Sequence, residues 1–525
     1  MTTRGRSVFR VVGVVAIVGL SVAIAVKWRL DAAKADQALM LSRLKPFVEV
    51  AAVPEPTGLP LLGVEGFDAD GYPTQWVDMA GLRSLLKHRR FAALDAAFTH
   101  FQDAFEQNPR FERWPADAAE AFGSAEPSLR PLLQDWVEHS PDSFAPWLAL
   151  GTHLEAVAHG QRGAKVVRET SDGEFDEMRQ TLPVALDALE HALKLRPKLV
   201  AARSEELWVL VLMSDAFRFH ETVRLADQSC PSCFLHRVVV MQSLRPRWGG
   251  TYEAMRAYAK TAPVADNPRL RFLTGYVELD RAELAVHDKR LPDAMEEVEK
   301  ACALGEHWAF LRQRAHVERR GKAFDEARKD LDRALELRPG NPDVLIERAE
   351  LHLDLKDGES AGKDLLAALR VNPSHFRGEQ VYGPTVQTLI HDAWVFRNAG
   401  QRDEALRVLD VASELAPLDG EVIGRRVIVL TGGDAGIEGL RAQADATPDD
   451  FRSHQALDYA LAKENRFEEV VEMWTVFLAH HPDEGRAYSE RAGAFHHLGR
   501  QRETIADLEK ACELGITEGC ARLKR

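Results

Sequence analysis

The chain has 525 residues, 28% of them charged and 45% hydrophobic, and its formal net charge is -14 at pH 7. This acidic balance excludes a generic nucleic-acid binder, because such proteins carry a basic surface that neutralises phosphates. By length the chain would hold about three or four ordinary domains, although a repeat array can use the same length as one elongated body. The composition therefore favours protein partners.

The N-terminal segment, residues 1–30, has the pattern of a membrane or export signal. An uncharged run from 11 to 26 lies between basic residues. A helix over this run would be roughly 24 Å long, against about 30 Å for the hydrocarbon core, and Arg10 and Lys27 can extend to the two interfaces. We expect an uncleaved single-span anchor. The alternative is a cleaved secretory signal, since residues 23–25 fit the A-x-A cleavage pattern.

Residues 31–75 are rich in proline and glycine and show no helical period, which predicts an extended linker. From 76 to 265 apolar residues recur at intervals of three and four, as in Leu82, Leu85 and Leu86. This pattern predicts an irregular helical module of unknown function, followed by a more regular array from 266 to 525.

The segment Cys230, Pro231, Ser232, Cys233 is the sharpest chemical candidate in that module. A C-x-x-C can be a redox pair or half of a zinc site. A thioredoxin-type pair is expected beside a strand, whereas the flanking sequence predicts two helices joined by this turn. No C-x-x-C or C-x-x-H outside residues 230–236 supplies a second pair of ligands for a zinc site. We expect a structural disulfide or unpaired thiols; dithiol redox activity and metal binding stay open as alternatives.

A pattern of Ala, Leu, Ala and Pro at spacings 4, 3 and 5 recurs in the C-terminal half with a preferred period of 34. The clearest sets are Ala327, Leu331, Ala334, Pro339, then Ala361, Leu365, Ala368, Pro373, and Ala405, Leu409, Ala412, Pro417, with degenerate sets starting at Gly436, Val470 and Thr504. Such spacings put the residues on one helix face, and proline ends the helix. A unit that cannot bury its own apolar face must stack on its neighbours. The pattern predicts an all-α solenoid.

These units resemble tetratricopeptide (TPR) repeats. In that family a small residue on the first helix lies 12 positions before the first alanine of the second helix, and four units here match. The matching residues are Ala315, Ala349, Ala393 and Ala492. The resemblance implies a right-handed superhelical solenoid of antiparallel helix hairpins that binds protein or peptide. The interval of 44 between Ala361 and Ala405 predicts a loop leaving the stack near Phe376 to Pro384.

Two shorter resemblances accompany the repeats. Residues 511–520 resemble a Sel1-like repeat, which implies a disulfide between Cys512 and Cys520 and thus an oxidising compartment; two free thiols in a cytoplasmic protein are the alternative. Residues 244–255 resemble a motif of an uncharacterised bacterial domain family, a domain of unknown function from which no chemistry transfers.

We expect a single-pass membrane protein. Most of its chain would lie outside the cytoplasm, in the periplasm. Secretion after signal cleavage and a body facing the cytoplasm remain as alternatives.

In three repeats an arginine before the small residue is followed 16 positions later by an aspartate. The pairs are Arg314 with Asp330, Arg348 with Asp364, and Arg491 with Asp507. We interpret each as an ion pair between the two helices of one hairpin. The alternative is that the arginines line a groove and bind acidic peptide termini.

The sequence contains no H-E-x-x-H and no phosphate-binding loop. Gly358, Ser360 and Gly362 match G-x-S-x-G, but they flank Ala361 of the repeat pattern, which predicts helix and not the strand-to-helix turn of a nucleophile elbow. We therefore predict no catalytic residue, cofactor, metal ligand or small-molecule substrate. The predicted function is a non-catalytic, membrane-anchored TPR scaffold for protein or peptide partners. The alternative is an extracytoplasmic thiol-disulfide redox protein that uses Cys230 and Cys233.

Overall fold

The computed structural model describes residues 53–162, 172–417, 419–431 and 436–523. The predicted membrane segment, residues 11–26, and the first part of the predicted linker lie outside these ranges. Among the residues that are described, no helix combines the length and the apolar character needed to cross a membrane.

The fold consists of one short ladder followed by helices. The two strands, β1 (Leu61–Leu62) and β2 (Trp76–Val77), pair antiparallel, with Leu61 opposite Val77. The helices are α1 (Met79–Lys87), α2 (Phe91–Gln107), α3 (Arg113–Glu120), α4 (Leu129–His139), α5 (Phe144–Arg162), α6 (Asp172–Leu195), α7 (Val200–Met213), α8 (Ala216–Ser229), α9 (Leu235–Ser243), α10 (Tyr252–Ala259), α11 (Gly275–His287), α12 (Leu291–Cys302), α13 (Trp308–Arg320), α14 (Phe324–Leu337), α15 (Pro342–Asp354), α16 (Gly358–Val371), α17 (Phe376–Asn398), α18 (Arg402–Leu415), α19 (Gly420–Thr431), α20 (Ile437–Ala446), α21 (Phe451–Lys463), α22 (Phe467–His480), α23 (Gly485–His497), α24 (Gln501–Glu513) and α25 (Thr517–Arg522).

From α5 onward, consecutive helices pack as hairpins such as α13 with α14 and α15 with α16. The connecting turns are short, so the two helices of a hairpin run antiparallel. The first helix of one hairpin also packs on the first helix of the next, as α15 does on α17. The prediction of an all-α array of helix hairpins is confirmed, and the hairpins begin upstream of residue 266. "First helices" below means the odd-numbered helices from α5 to α23.

The residues that make the repeat visible are packing residues. The small residues of the first helices, Ala315, Ala349, Ala393 and Ala492, are at most 1% exposed. Leu331, Leu365 and Leu409 of the second helices are fully buried. Small side chains let two helices approach closely and leucines fill the space between them.

The hairpin turns that the structure describes share one backbone conformation. The residue one or two positions after the first helix of the hairpin is in the left-handed region, and the N–H of the next residue donates to the carbonyl five positions back. This Schellman geometry favours glycine, and glycine is present at Gly400 and Gly499. Other hairpins use a non-glycine residue in the same place, with positive φ at Arg89, Ser214, Lys289, Lys322, Lys356 and Asn465. The same conformation at Arg89 shows that α1 and α2 form a hairpin of the same kind.

The predicted loop near Phe376 to Pro384 is wrong, because α17 runs continuously through that segment. Proline inside a helix costs about 3 kcal/mol. The long helix buries Val381, Thr385 and Leu389, and burying an apolar side chain contributes about 1.5–3 kcal/mol. The insertion therefore lengthens a first helix.

The segment from 53 to 78 is folded against the helices, where an extended linker was expected. Tyr72 is 4% exposed and Val77 is 2% exposed. The Trp114 indole also donates to the Gln75 carbonyl at 3.0 Å. These contacts give the segment a fixed position on α3.

A candidate protein-binding face on the first helices

Each of the three predicted arginine–aspartate pairs is present as a bidentate ion pair. In the Arg348 pair, Nε and Nη2 both lie 2.7 Å from the oxygens of Asp364. The Arg491 pair with Asp507 has distances of 2.7 and 2.8 Å, and the Arg314 pair with Asp330 has 2.5 and 2.7 Å. This parallel geometry holds the two helices of a hairpin in register.

Sequence reasoning missed the other partner of these arginines. Arg348 Nη1 reaches back to Asp332 on the preceding second helix at 2.7 Å, and Arg491 Nη1 donates to Thr475 at 3.0 Å. These contacts also span 16 positions, in the N-terminal direction. Arg348 and Arg491 therefore each join two successive hairpins, which supports the structural interpretation over the groove-lining alternative.

Between α13 and α17, charged side chains that pair with one another cover the first-helix face. Glu347, which is fully buried, accepts from Arg377 at 2.6 Å and from Arg319 at 3.1 Å, and lies 2.8 Å from His316. Burial alone would raise the pKa of Glu347, but the hydrogen bond to His316 and the charges of the two arginines hold that pKa well below its usual range. Glu350 completes the network with the same arginines. The carboxylates, the arginines and the histidine of this network therefore provide hydrogen-bond and charge partners for one another.

On α17, α19 and α21, which follow or end this network, the residue after the small first-helix position is of a different type than on α13 and α15. Ala393, Gly424 and Asp458 each lie 12 residues before the first residue of a repeat pattern, at positions 405, 436 and 470. The next residues, Trp394, Arg425 and Tyr459, therefore occupy the same repeat position on α17, α19 and α21. In α13 and α15 this position holds His316 and Glu350, both members of the charged network.

Trp394 is a large aromatic residue exposed on this part of the face. Its side chain is 39% exposed, and the guanidinium carbons of Arg397 and Arg425 each lie 5.0 Å from the ring centroid. Cations over an indole are attracted by the ring quadrupole, with about 0.5–2 kcal/mol per contact. The two arginines fix an otherwise mobile tryptophan on the surface, with Val395 beside it 50% exposed.

A cavity of about 540 Å³ lies between α19, α20 and α21, and it is connected to Trp394 through Arg425, which lines the cavity and also contacts the indole. Its lining includes Arg425, Gly424 and Tyr459. A Cβ at Gly424 would lie 3.3 Å from the Tyr459 hydroxyl, so the glycine makes room for the ring. Lys463 Nζ lies 4.6 Å from the Tyr459 centroid. Trp394, Arg425, Tyr459 and Lys463, with this cavity, are called the aromatic face below.

The cysteines of the C-x-x-C are bonded to each other and inaccessible. Cys230 and Cys233 are 3% and 0% exposed and pack with Phe105 and Val200 at the turn between α8 and α9. Helices flank the pair on both sides, and no exposed thiol is available for exchange. The redox alternative gains no support from this environment.

The other cysteines also have defined positions. Cys512 and Cys520 are bonded to each other and join α24 to α25, with their Cα atoms 4.8 Å apart. Cys302 is half-buried and free, and burial raises the pKa of its thiol to about 11. Across the described ranges, no three His, Cys, Asp or Glu side chains converge in a way that could hold a metal ion.

The motif at 244–255 has a packing role. Gly249 has a φ of +88°, and a Cβ on Gly250 would lie 2.1 Å from the Leu244 carbonyl oxygen, which only glycine tolerates. Arg247 and the Tyr252 hydroxyl both contact Asp280 on α11, the hydroxyl at 3.1 Å. The motif therefore seats one hairpin on the next.

The architecture is that of a helix-hairpin repeat, and solved repeat structures share it to a limited extent. The TPR domain of P58(IPK) is 17% identical, with 78% of this chain and 92% of that chain covered and a TM-score of 0.20. YrrB, described as a TPR protein with an unusual peptide-binding site, is 16% identical over 50% of this chain and 100% of that chain, with a TM-score of 0.19.

The Naa15/Naa10 complex bound to HypK-THB is 14% identical over 83% of this chain and 64% of that chain, with a TM-score of 0.31. Similarities this weak support no inference about what this chain binds. No family profile and no curated protein matches the sequence.

Proposed function

We propose that the protein is a non-catalytic scaffold that binds a protein or peptide on the aromatic face. The observation that carries the proposal is that Arg425 both holds a half-exposed tryptophan and lines an open cavity. The corresponding repeat positions on α13 and α15 hold members of the charged network. Trp394 and Tyr459 supply rigid apolar area, and Arg425 and Lys463 supply donors around it. Aromatic residues and arginine are the residue types that dominate binding energy in protein interfaces.

The experiment places a photo-reactive benzoylphenylalanine at Val395 in the full-length protein, expressed in its native host. The matched control places it at Val476, which is 61% exposed on a second helix. We expect a discrete protein adduct from position 395, its loss in the Tyr459→Ala background, and no adduct of the same mass from position 476. Equal adducts at both positions, or none at 395, would refute the proposal.

The finer proposal is that residues 11–26 anchor this scaffold in a membrane with the body outside the cytoplasm. It is supported by the sequence pattern of the N-terminus and by two cysteine pairs placed as disulfides, which persist in oxidising compartments. Protease added to intact cells and to spheroplasts distinguishes the topologies. Cleavage only after the outer barrier is opened is the expected result, and protection in spheroplasts would overturn the periplasmic assignment.

A further inference from the structure

The N-terminal module, here residues 53–139, has two different kinds of contact with the repeats. With α5 to α7 it shares one apolar core, which includes the fully buried Trp136 and Leu148. Its contacts with residues 266–375 are made mainly by polar side chains at the turns between hairpins. These polar contacts are called the seam below.

The first part of the seam surrounds Tyr72 and Asn267. Asn267 Nδ2 donates to the Tyr72 hydroxyl at 2.7 Å, and Arg110 Nη1 donates to Asn267 Oδ1 at 2.5 Å. The Arg269 guanidinium lies 3.7 Å from the Tyr72 ring centroid and pairs with Asp68. Residues 195 positions apart in the chain are thereby joined by hydrogen bonds and one cation-π contact.

The second part of the seam reaches the turns before α15 and α17. Arg338 pairs with Asp117 at 3.3 Å and with Glu120 at 3.0 Å. Ser374 Oγ accepts from the Ala125 N–H at 2.9 Å and lies 3.1 Å from Ser124 Oγ.

One apolar contact accompanies these polar ones. Helix α1 packs on α16, and Val371 belongs to the same apolar core as the N-terminal module.

This second part ends where α17 begins. Ser374 is two residues before Phe376, the first residue of α17, and His375 caps that helix by accepting from the Gly378 N–H at 3.4 Å. Trp394 lies on the same helix. Ser374 therefore lies in the turn that leads into the helix carrying Trp394.

We propose that the N-terminal module is a clasp that can open along the seam, and that its docking on Ser374 fixes the position of α17. Polar interfaces within a chain resemble transient interfaces and separate more readily than apolar cores. Because the apolar core joins the module to α5 to α7, opening of the seam leaves the module folded. The clasp is a property of the chain itself, so it goes beyond the proposed function and its test needs no partner.

The test is hydrogen exchange of the full chain, read by mass spectrometry, for the wild type and the Ser374→Ala variant. Ser413→Ala is the matched control, since Ser413 donates within α18 and lies outside the seam. We expect exchange at least tenfold faster at the Ala125 amide and in the first turns of α17 for Ser374→Ala, with no change in α23. Acceleration at Ala125 alone, without α17, would overturn the coupling.

A covalent trap supplies the second arm. The Ser124→Cys/Ser374→Cys double variant should form a disulfide under mild oxidation, when the two thiolates lose two electrons to the oxidant, oxidised glutathione, which is reduced to two glutathione thiols. Adding Arg338→Ala to this variant should raise exchange in α17 when reduced and leave it at the wild-type rate when oxidised. Equal exchange in the two redox states would overturn the proposal, and so would failure of the two cysteines to pair.

Discussion

Replacement of Arg348 by alanine should destabilise the array more than loss of any exposed ion pair. The Asp364 side chain is 9% exposed and that of Arg348 is 24% exposed. Truncation leaves a nearly buried carboxylate without its two strongest donors, and such a loss costs about 3–5 kcal/mol at full burial and below 1 kcal/mol at the surface. For this partly shielded pair we expect a loss of about 2–3 kcal/mol.

A double-mutant cycle separates the pair from its surroundings. The Asp364→Asn variant and the double variant, compared with Arg348→Ala, should give a coupling energy of about 2 kcal/mol. The control cycle uses Arg290 and Asp293, whose side chains are 53% and 57% exposed. That cycle should give no more than about 0.5 kcal/mol.

The assay is urea unfolding followed by far-UV circular dichroism, with amide exchange across α14 to α16 as a local measure. Exchange is needed because a repeat array can unfold in parts, in which case a single midpoint no longer reports one free energy. A coupling energy for the Arg348 pair equal to that of the exposed pair would refute the reasoning, since burial is what distinguishes the two.

Three further outcomes follow from single sites. Burial, with Asp330 nearby, raises the pKa of Glu318 to about 7, so the contribution of this carboxyl to stability should fall as pH rises from about 4 to 7, and Glu318→Gln should gain on the order of 2–3 kcal/mol at pH 8 and nothing at pH 4. Lys356→Gly should raise the free energy of unfolding by about 0.5–1 kcal/mol, because a left-handed non-glycine residue costs more than glycine's extra entropy. Non-reducing peptide mapping should recover Cys512 linked to Cys520.

Each of these outcomes has a contradicting result. A gain for Glu318→Gln that is equal at pH 4 and pH 8 would show that packing, not charge, sets the effect; Glu509→Gln, at an exposed position on α24, is the surface control. A loss of stability in Lys356→Gly would show that the lysine side chain stabilises the fold by more than its left-handed backbone conformation costs. Recovery of free thiols at both C-terminal cysteines would remove that bridge as support for an oxidising compartment.

The local and periodic features of the fold were predictable from sequence because they repeat. Buried positions such as Ala315 and Leu331 follow from helical spacing, and Arg348 was paired with Asp364 because the interval recurs. The left-handed turns are only partly visible in the sequence, since their sequence signal is glycine, which is present at Gly400 and absent at Lys322.

The long-range features were not predictable. Nothing in the spacing of Ser124 and Ser374, 250 positions apart, indicates contact. The aromatic face had a usable signal, namely the residue after each small first-helix residue. Trp394 occupies this position, but whether a side chain there is exposed depends on which face of the helix the next repeat covers. The Pro384 insertion was misjudged because proline usually ends a helix and here tertiary burial outweighs its cost.

The seam also has a consequence for how the chain is made. The Ala125 amide is complete long before its acceptor Ser374, 249 residues later, leaves the ribosome. At about 5–20 residues per second this interval is roughly 12–50 s. During that time α1 and α3 lack the partners that Val371 and Arg338 later supply, so the order of synthesis delays closure of the clasp until seven-tenths of the protein exists.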